Sequence, residues 1–211
     1  LASSAASDVY KRQEYPYTLI SDSVFNIYNM VTVIAVLRQL GYDHGTIARR
    51  MAEVKIPASR LSDEDIGGVK VIMQMSKDKN ALACSRNFDY IRSKPGKKEL
   101  LLMMNCLGVA KSWSENPSWM YDTDFEFLNS DDVTCLVCAG PRAYDYQLRL
   151  LLAGIPRQKI RLAEDEFAAL ELLPLTPGDD VYLLYGVDGT PLAFRVREKL
   201  KEKLLAKEGA Q

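Results

Sequence analysis

Val133-Thr134-Cys135-Leu136-Val137-Cys138-Ala139-Gly140-Pro141-Arg142-Ala143-Tyr144-Asp145 is the stretch on which the fold turns. A short apolar run bounded by Gly and Pro reads as a buried strand. Pro141 suits the first turn of a helix, which the pattern carries over residues 142–153. A strand feeding directly into a helix is half of a βαβ unit, so the neighbouring segments decide whether the pattern continues.

It does. Strands are expected at residues 69–75, 99–104, 133–139, 159–162 and 181–185. Helices are expected near 82–91, 124–128, 142–153, 164–173 and 191–206. Such alternation predicts an α/β domain, a Rossmann-like, mostly parallel sheet flanked by helices and joined by right-handed crossovers. Ligands of open α/β sheets bind past the carboxyl ends of the strands. The segments expected there are residues 77–80, 105–122, 140–142 and 186–189.

Upstream the signal is purely helical. Val24, Ile27, Tyr28, Val31, Ile34, Ala35 and Leu37 recur at helical spacing, with Ser21, Asp22 or Ser23 as N-cap and Gly41 as the stop. A second helix is expected from His44 to Val54. Residues 58–68, with Asp63-Glu64-Asp65 and Gly67-Gly68, read as a linker. Residues 1–13 have neither periodicity nor a targeting pattern. They resemble translated adapter sequence and are set aside as a non-native leader, with the natural protein expected to extend further upstream. The division is then 1–13, a helical part over 14–66, and the α/β domain over 67–211.

The 211 residues are 47% apolar, enough for one good core. With 27 basic and 28 acidic side chains the formal charge is −1, so no global field gathers nucleic acid or anionic lipid. No apolar run approaches membrane-spanning length, which predicts a soluble cytoplasmic protein. Cys135 and Cys138, three apart on a strand, point to opposite faces and are not expected to share a metal ion. Cys84 and Cys106 are isolated, so free thiols are expected. The chain has no GxxxxGK[ST] and no GxGxxG, which argues against a free-standing ATPase or dehydrogenase.

Candidate chemistry concentrates in Ser118-Trp119-Met120-Tyr121-Asp122-Thr123-Asp124-Phe125-Glu126-Phe127-Leu128, with three carboxylates and four aromatic rings. Thr123 and Glu126 have capping-box spacing. Two readings stand: a site carried by Asp122 and Asp124, or a helix start whose acids favour the dipole while Tyr121, Phe125 and Leu128 are buried. Arg142, a cation at a helix N-terminus, points to anion binding or carboxylate pairing. Asp145 and Arg149 suit an intrahelical ion pair. The lone His44 reads as a surface residue at a helix start.

These residues together resemble the MurT family of Mur ligases. Phe25-Asn26-Ile27-Tyr28-Asn29 and Leu40-Gly41 look like the end of the Mur ligase central domain. The resemblance implies that Asn26 and Asn29 approach the adenine of ATP, that Arg60 precedes the interdomain hinge, and that Lys77 and Asn80 lie in a hinge-side Lys-Asn motif. The stretch from Trp119 to Glu126, Gly140-Pro141-Arg142-Ala143-Tyr144-Asp145 and Leu148-Arg149-Leu150 to Ala153-Gly154 resemble the family's carboxyl-terminal domain.

By resemblance, the function is that of the ligase-like subunit of lipid II isoglutaminyl synthase. ATP and Mg2+ activate the D-glutamate α-carboxyl of the peptidoglycan stem peptide, and ammonia from a GatD-like glutamine amidotransferase subunit completes the amide. Asp122 falls at the family's essential Asp, with Asp124 second, and Arg142 and Trp119 are the expected contacts to substrate or partner. Lys111-Ser112-Trp113-Ser114-Glu115-Asn116 replaces a common DGxDxSW approach, and Asn105-Cys106 stands where an Asn-Asp pair is common. The upstream ATP phosphate loop is not in this sequence, so the chain alone is expected to be inactive. The rival reading is a non-catalytic docking module, in which Trp113, Trp119 and Tyr121 form a protein interface. A further one is a Mur-type ligase that adds an amino acid.

Overall fold

The computed structural model describes residues 5–8, 13–18, 24–55, 60–104 and 117–208. The chain divides into two compact units, Leu1–Pro57 and Ala58–Gln211. The expected boundary between residues 66 and 67 falls inside the second unit.

In the first unit, strands β1 (Ala5–Asp8) and β2 (Gln13–Pro16) pair antiparallel, followed by helices α1 (Val24–Gln39) and α2 (His44–Ala52). Gly41 ends the α1 segment at φ 92, and the amides of Gly41 and Tyr42 reach back to the carbonyls of Arg38 and Leu37. Those reversed bonds satisfy helix-end carbonyls in the manner of a Schellman turn. Met30 and Ile34 pack with Tyr17, Ile47 and Met51, whereas Tyr28 and Val31 are exposed, so the buried stripe of α1 is narrower than the sequence suggested. His44 is not a bare surface residue. Its ring stacks on Tyr15 at 3.5 Å between centroids, and its Nδ1 lies 2.5 Å from the Tyr17 hydroxyl. The N-cap candidates Ser21, Asp22 and Ser23 lie outside the described residues.

The second unit contains strands β3 (Leu61–Ile66), β4 (Val69–Met75), β5 (Lys98–Met103), β6 (Val133–Cys138), β7 (Ile160–Leu162) and β8 (Asp180–Tyr185). Its helices are α3 (Ala81–Ser93), α4 (Ala143–Leu152) and α5 (Thr190–Glu208). The sheet order is β3-β4-β8-β5-β6-β7, with β3 antiparallel and all other neighbours parallel. This is the Rossmann-like α/β architecture read from the sequence.

Alternate residues of the central strands feed two cores. Leu100, Leu102, Leu136 and Cys138 meet Cys84, Phe88 and Ile91 of α3 and Tyr146 and Leu150 of α4. Leu101, Met103, Val137 and Cys135 meet Ala193, Val196 and Leu200 of α5. The two strand cysteines thus face opposite layers, as their spacing required. Burial pushes the thiols up, Cys135 to about 11 and Cys138 to about 12, with Cys84 higher still. A register shift between Lys98 and Glu99 makes β6 bulge beside β5.

Two local expectations fail. The acidic segment read as a linker is the edge strand β3, turned into β4 by Gly67 and Gly68 at φ 60 and 73. That is the left-handed pair a tight hairpin demands. Its charges are used: Asp63 pairs with Lys70 at 3.1 Å and Glu64 with Lys201. The expected helix over 164–173 is only a 3-10 turn at Ala168–Glu171. Asp165 accepts the amides of Phe167 and Ala168, which favours a turn over helix propagation. Ala169, Leu170 and Leu173 are buried all the same.

Candidate active site

The loop that the sequence singled out is built from its backbone outward. Ser118–Met120 and Phe125–Leu128 form two short 3-10 turns, with Tyr121, Asp122, Thr123 and Asp124 between them. Phe125 inserts fully buried between α3 and α4, its ring 4.8 Å from Phe88 and 6.2 Å from Tyr146. Met120 and Leu128 are buried on either side in the same core. The apolar residues therefore fasten the loop to the sheet layer at both ends.

Polar contacts fix its middle. Thr123 Oγ1 donates to the carbonyl of Trp119 at 2.7 Å, and the Asp124 amide donates to Ser85 Oγ of α3 at 2.8 Å. From α4 the buried Arg149 donates through Nε to the Met120 carbonyl at 3.1 Å and through Nη2 to the Thr123 carbonyl at 2.8 Å. The same Nη2 meets both oxygens of Glu126, at 2.9 and 2.7 Å. Asp122 and Asp124 point outward, both exposed. Among the described residues neither carboxylate has a hydrogen bond or ion pair.

Three expectations are corrected by this arrangement. The capping box does not form, because Thr123 turns back to Trp119 and Glu126 is held by Arg149. Arg149 pairs with Glu126 and not with Asp145, since it faces the core side of α4, where a guanidinium must find buried acceptors. Asp145 instead pairs with Arg142 at 3.1 Å, which supplies the carboxylate partner expected for that cation. Of the stripe read into this segment, Phe125 and Leu128 are buried but Tyr121 is half exposed.

The Arg149 hydrogen bond is the chief reason that the Glu126 carboxyl is held below its usual range. A depressed carboxylate contributes stability that is present above its unfolded pKa of about 4.3 and is lost as pH falls through the folded value. The urea midpoint of Glu126→Gln is therefore expected to lie below wild type at pH 7 and to approach it at pH 3. An equal gap at both values would mean that the charge is not used.

At the carboxyl ends of β4 and β8 a second polar cluster forms. Lys77 and Lys79 have left-handed backbones at φ 44 and 68, and Lys79 lies 3.8 Å from Asp188. Strain of this kind clusters at functional sites. Asn80 caps α3, its side-chain oxygen accepting the Ala83 amide at 3.0 Å. Asp78 accepts the amide of Val187 at 3.2 Å and lies against Gly186.

The remaining expected residues are placed as follows. Trp119 is half-buried against the α3–α4 core, and Lys77 and Arg60 are exposed, Arg60 at the start of β3, where its carbonyl accepts the Met75 amide. Asn26 is half-buried and Asn29 exposed on α1 of the other unit. Asn105, Cys106 and Trp113, with the rest of 105–116, lie outside the described residues. Sequence reasoning did not single out Arg149 or Asp78 as organising groups. An Arg amid the apolar positions Leu148 and Leu150 was the available signal for the first.

The family model described as MurT ligase C-terminal matches residues 78–186, which spans β4's exit loop through β8. The chain belongs to the MurT ligase C-terminal family. Among curated MurT proteins, the lipid II isoglutaminyl synthase (glutamine-hydrolyzing) subunit MurT of Staphylococcus aureus (strain COL) is 25% identical over 143 residues, covering 68% of this chain and 31% of its own. The Streptococcus pneumoniae (strain ATCC BAA-255 / R6) subunit of the same name is 25% identical over 150 residues, covering 70% and 32%. The chain thus spans about a third of the length of these MurT relatives.

Solved structures agree on the fold. MurF ligase from Thermotoga maritima in complex with ADP superimposes with a TM-score of 0.58 at 18% identity, over 91% of this chain and 40% of that one. MurF from Acinetobacter baumannii gives 0.58 at 16% identity, over 90% and 39%. The MurT match includes both Asp122 and its clamp Arg149, and Lys77 falls just before its first residue.

Proposed function

We infer that this chain is the carboxyl-terminal part of the ligase subunit of a lipid II isoglutaminyl synthase. The reaction is the ATP-dependent amidation of the D-glutamate α-carboxyl of the peptidoglycan stem peptide, with ammonia delivered by a GatD-like glutamine amidotransferase subunit. The observation that carries this reading is an exposed carboxylate, Asp122, on a loop held from both sides by a buried arginine, within the region matched by the MurT family. The curated relatives carry the synthase name, which supports the same activity.

Asp122 is the acting carboxylate, with Asp124 as its neighbour. A carboxylate in this position can orient a histidine or an amine of the partner without changing its own charge. ATP, when bound, supplies the phosphoryl group that activates the acceptor carboxylate. The solved MurF neighbour in complex with ADP supports a nucleotide in this fold group. Arg60 and Lys77 are exposed cations of the second unit and Asn26 and Asn29 lie on α1 of the first, and each is assigned to the nucleotide by the family resemblance alone. Asn80 fits less freely, since its oxygen is committed to the α3 cap. Among the described residues no cluster of three His, Cys, Asp or Glu builds a site for Mg2+. The reaction is placed in the cytoplasm at the membrane face, where a lipid-linked acceptor is presented. Among the described residues no helix is long and apolar enough to cross a membrane.

A second reading, a docking module without chemistry, draws on α4. Tyr144, Leu148 and Leu152 form an exposed apolar stripe there. Interfaces favour such residues, and Trp119 and Arg142 sit on the adjoining elements.

The experiment is reconstitution of the complete ligase subunit with its glutaminase subunit. Asp122→Asn is expected to keep the wild-type melt and the complex while losing amidation about tenfold or more. Undiminished amidation would remove Asp122 from the site. A complex that forms but neither binds ATP nor amidates would establish the docking reading.

A further inference from the structure

We propose that Arg149 is the positioning residue of the Asp122 loop, and that its planar guanidinium fork sets where the Asp122 carboxylate stands. The proposal rests on the reading that Asp122 acts in amidation. Three observations carry it. Arg149 is only 6% exposed, so its charge is held away from water in the middle of α4. Its donors do not spread over the core; they take the carbonyls of Met120 and Thr123, the residues that bracket Tyr121 and Asp122. Its remaining reach is spent on Glu126, which fixes the plane of the guanidinium from the far end of the loop.

Holding a loop is possible by apolar packing alone, and Met120, Phe125 and Leu128 already do so here. A buried guanidinium is a costly addition, because ions leave water unwillingly and are often replaceable by apolar residues without loss of stability. What a guanidinium adds is direction. Two carbonyls held at 3.1 and 2.8 Å by one rigid plane fix the backbone on either side of Asp122, while the carboxylate itself stays free in solvent. The Phe125 ring beneath the guanidinium, 5.3 Å from it, and the Ser85 hydroxyl on the Asp124 amide remove the remaining freedom of the turn. A functional group presented in this way needs no reordering when its target arrives. Lysine cannot substitute, since a single ammonium on a flexible stem lacks the fork that spans both carbonyls.

The test uses the complete ligase subunit with its glutaminase subunit and follows amidation, with thermal melts of every variant. Arg149→Lys is expected to lower kcat about tenfold while KM for ATP stays within about twofold. Glu126→Gln, which leaves the two carbonyl bonds in place but frees the guanidinium plane, is expected to lower kcat about threefold with the same split. Asp122→Asn is measured in parallel. Unchanged kcat in a folded Arg149→Lys protein, or a KM for ATP that rises in step with the loss, overturns the assignment of Arg149 alone. If Arg149→Lys does not fold, an unchanged kcat in Glu126→Gln overturns it instead. Full activity in Asp122→Asn overturns the underlying reading, and the positioning role falls with it.

Discussion

Phe125→Ala is expected to cost about 3–5 kcal/mol of stability in the second unit. The ring is fully buried, inclined to Phe88 at 4.8 Å and to Tyr146 at 6.2 Å, and covered by the Arg149 guanidinium. Removing it forfeits the transfer energy of a whole aromatic side chain. It also leaves a cavity between two helices that are fixed to the same sheet and cannot collapse on each other. For a unit of this size the melting midpoint should fall by about 10 °C. Since domains are stable by only about 5–15 kcal/mol, the variant sits near the limit of folding. Phe125→Leu, which keeps most of the volume, should recover the greater part. Urea or thermal melts followed by circular dichroism decide the matter. A loss below about 1 kcal/mol would mean that the Ser118–Leu128 loop does not pack between α3 and α4, and with it the clamp on Asp122 would lose its foundation.

Gly186→Ala is the second large effect, expected at about 2–4 kcal/mol. A Cβ built at this position would clash with Oδ1, Cγ and Oδ2 of Asp78, all far inside contact distance. The backbone at Gly186 needs no left-handed conformation, so the demand for glycine is purely one of space. Asp78 has a short side chain and must swing away, which breaks its acceptance of the Val187 amide. A hydrogen bond to a charged group contributes about 1.5–3 kcal/mol, and crowding adds to that. The double variant Asp78→Ala with Gly186→Ala separates the two causes. If the clash is the cause, adding Gly186→Ala to Asp78→Ala should cost less than about 1 kcal/mol, a non-additivity typical of touching residues. Full additivity would show that Asp78 and Gly186 do not meet. Asp78 stands between Lys77 and Lys79, both with left-handed backbones.

The resemblance in Trp119 to Glu126 and in Gly140 to Asp145 led to the family that the MurT match then showed. The motifs singled out this segment because acids interleaved with aromatic rings are unusual in sequence. They did not reveal how the segment is held. Arg149 read as a partner of Asp145 four residues earlier, since intrahelical spacing is the only geometry that a sequence displays. Its actual partners lie 23 to 29 positions away in the chain. The same limit explains β3. Asp63-Glu64-Asp65 has the composition of a linker, and only the neighbouring β4, with Lys70 and the turn at Gly67-Gly68, makes it a strand.

What the sequence determined by itself was everything that depends on local period and steric rule. The strands of the parallel sheet follow from short apolar runs, the flanking helices from their 3.6-residue spacing, and the two-faced placement of Cys135 and Cys138 from the pleat. Tertiary structure decided the rest: the sheet order that inserts β8 between β4 and β5, and the convergence of Arg149, Glu126 and Ser85 on the Asp122 loop. These depend on which distant groups meet, and a buried charge or an unpaired carbonyl takes whatever partner the packed layers bring within about 3 Å, whatever its distance along the chain.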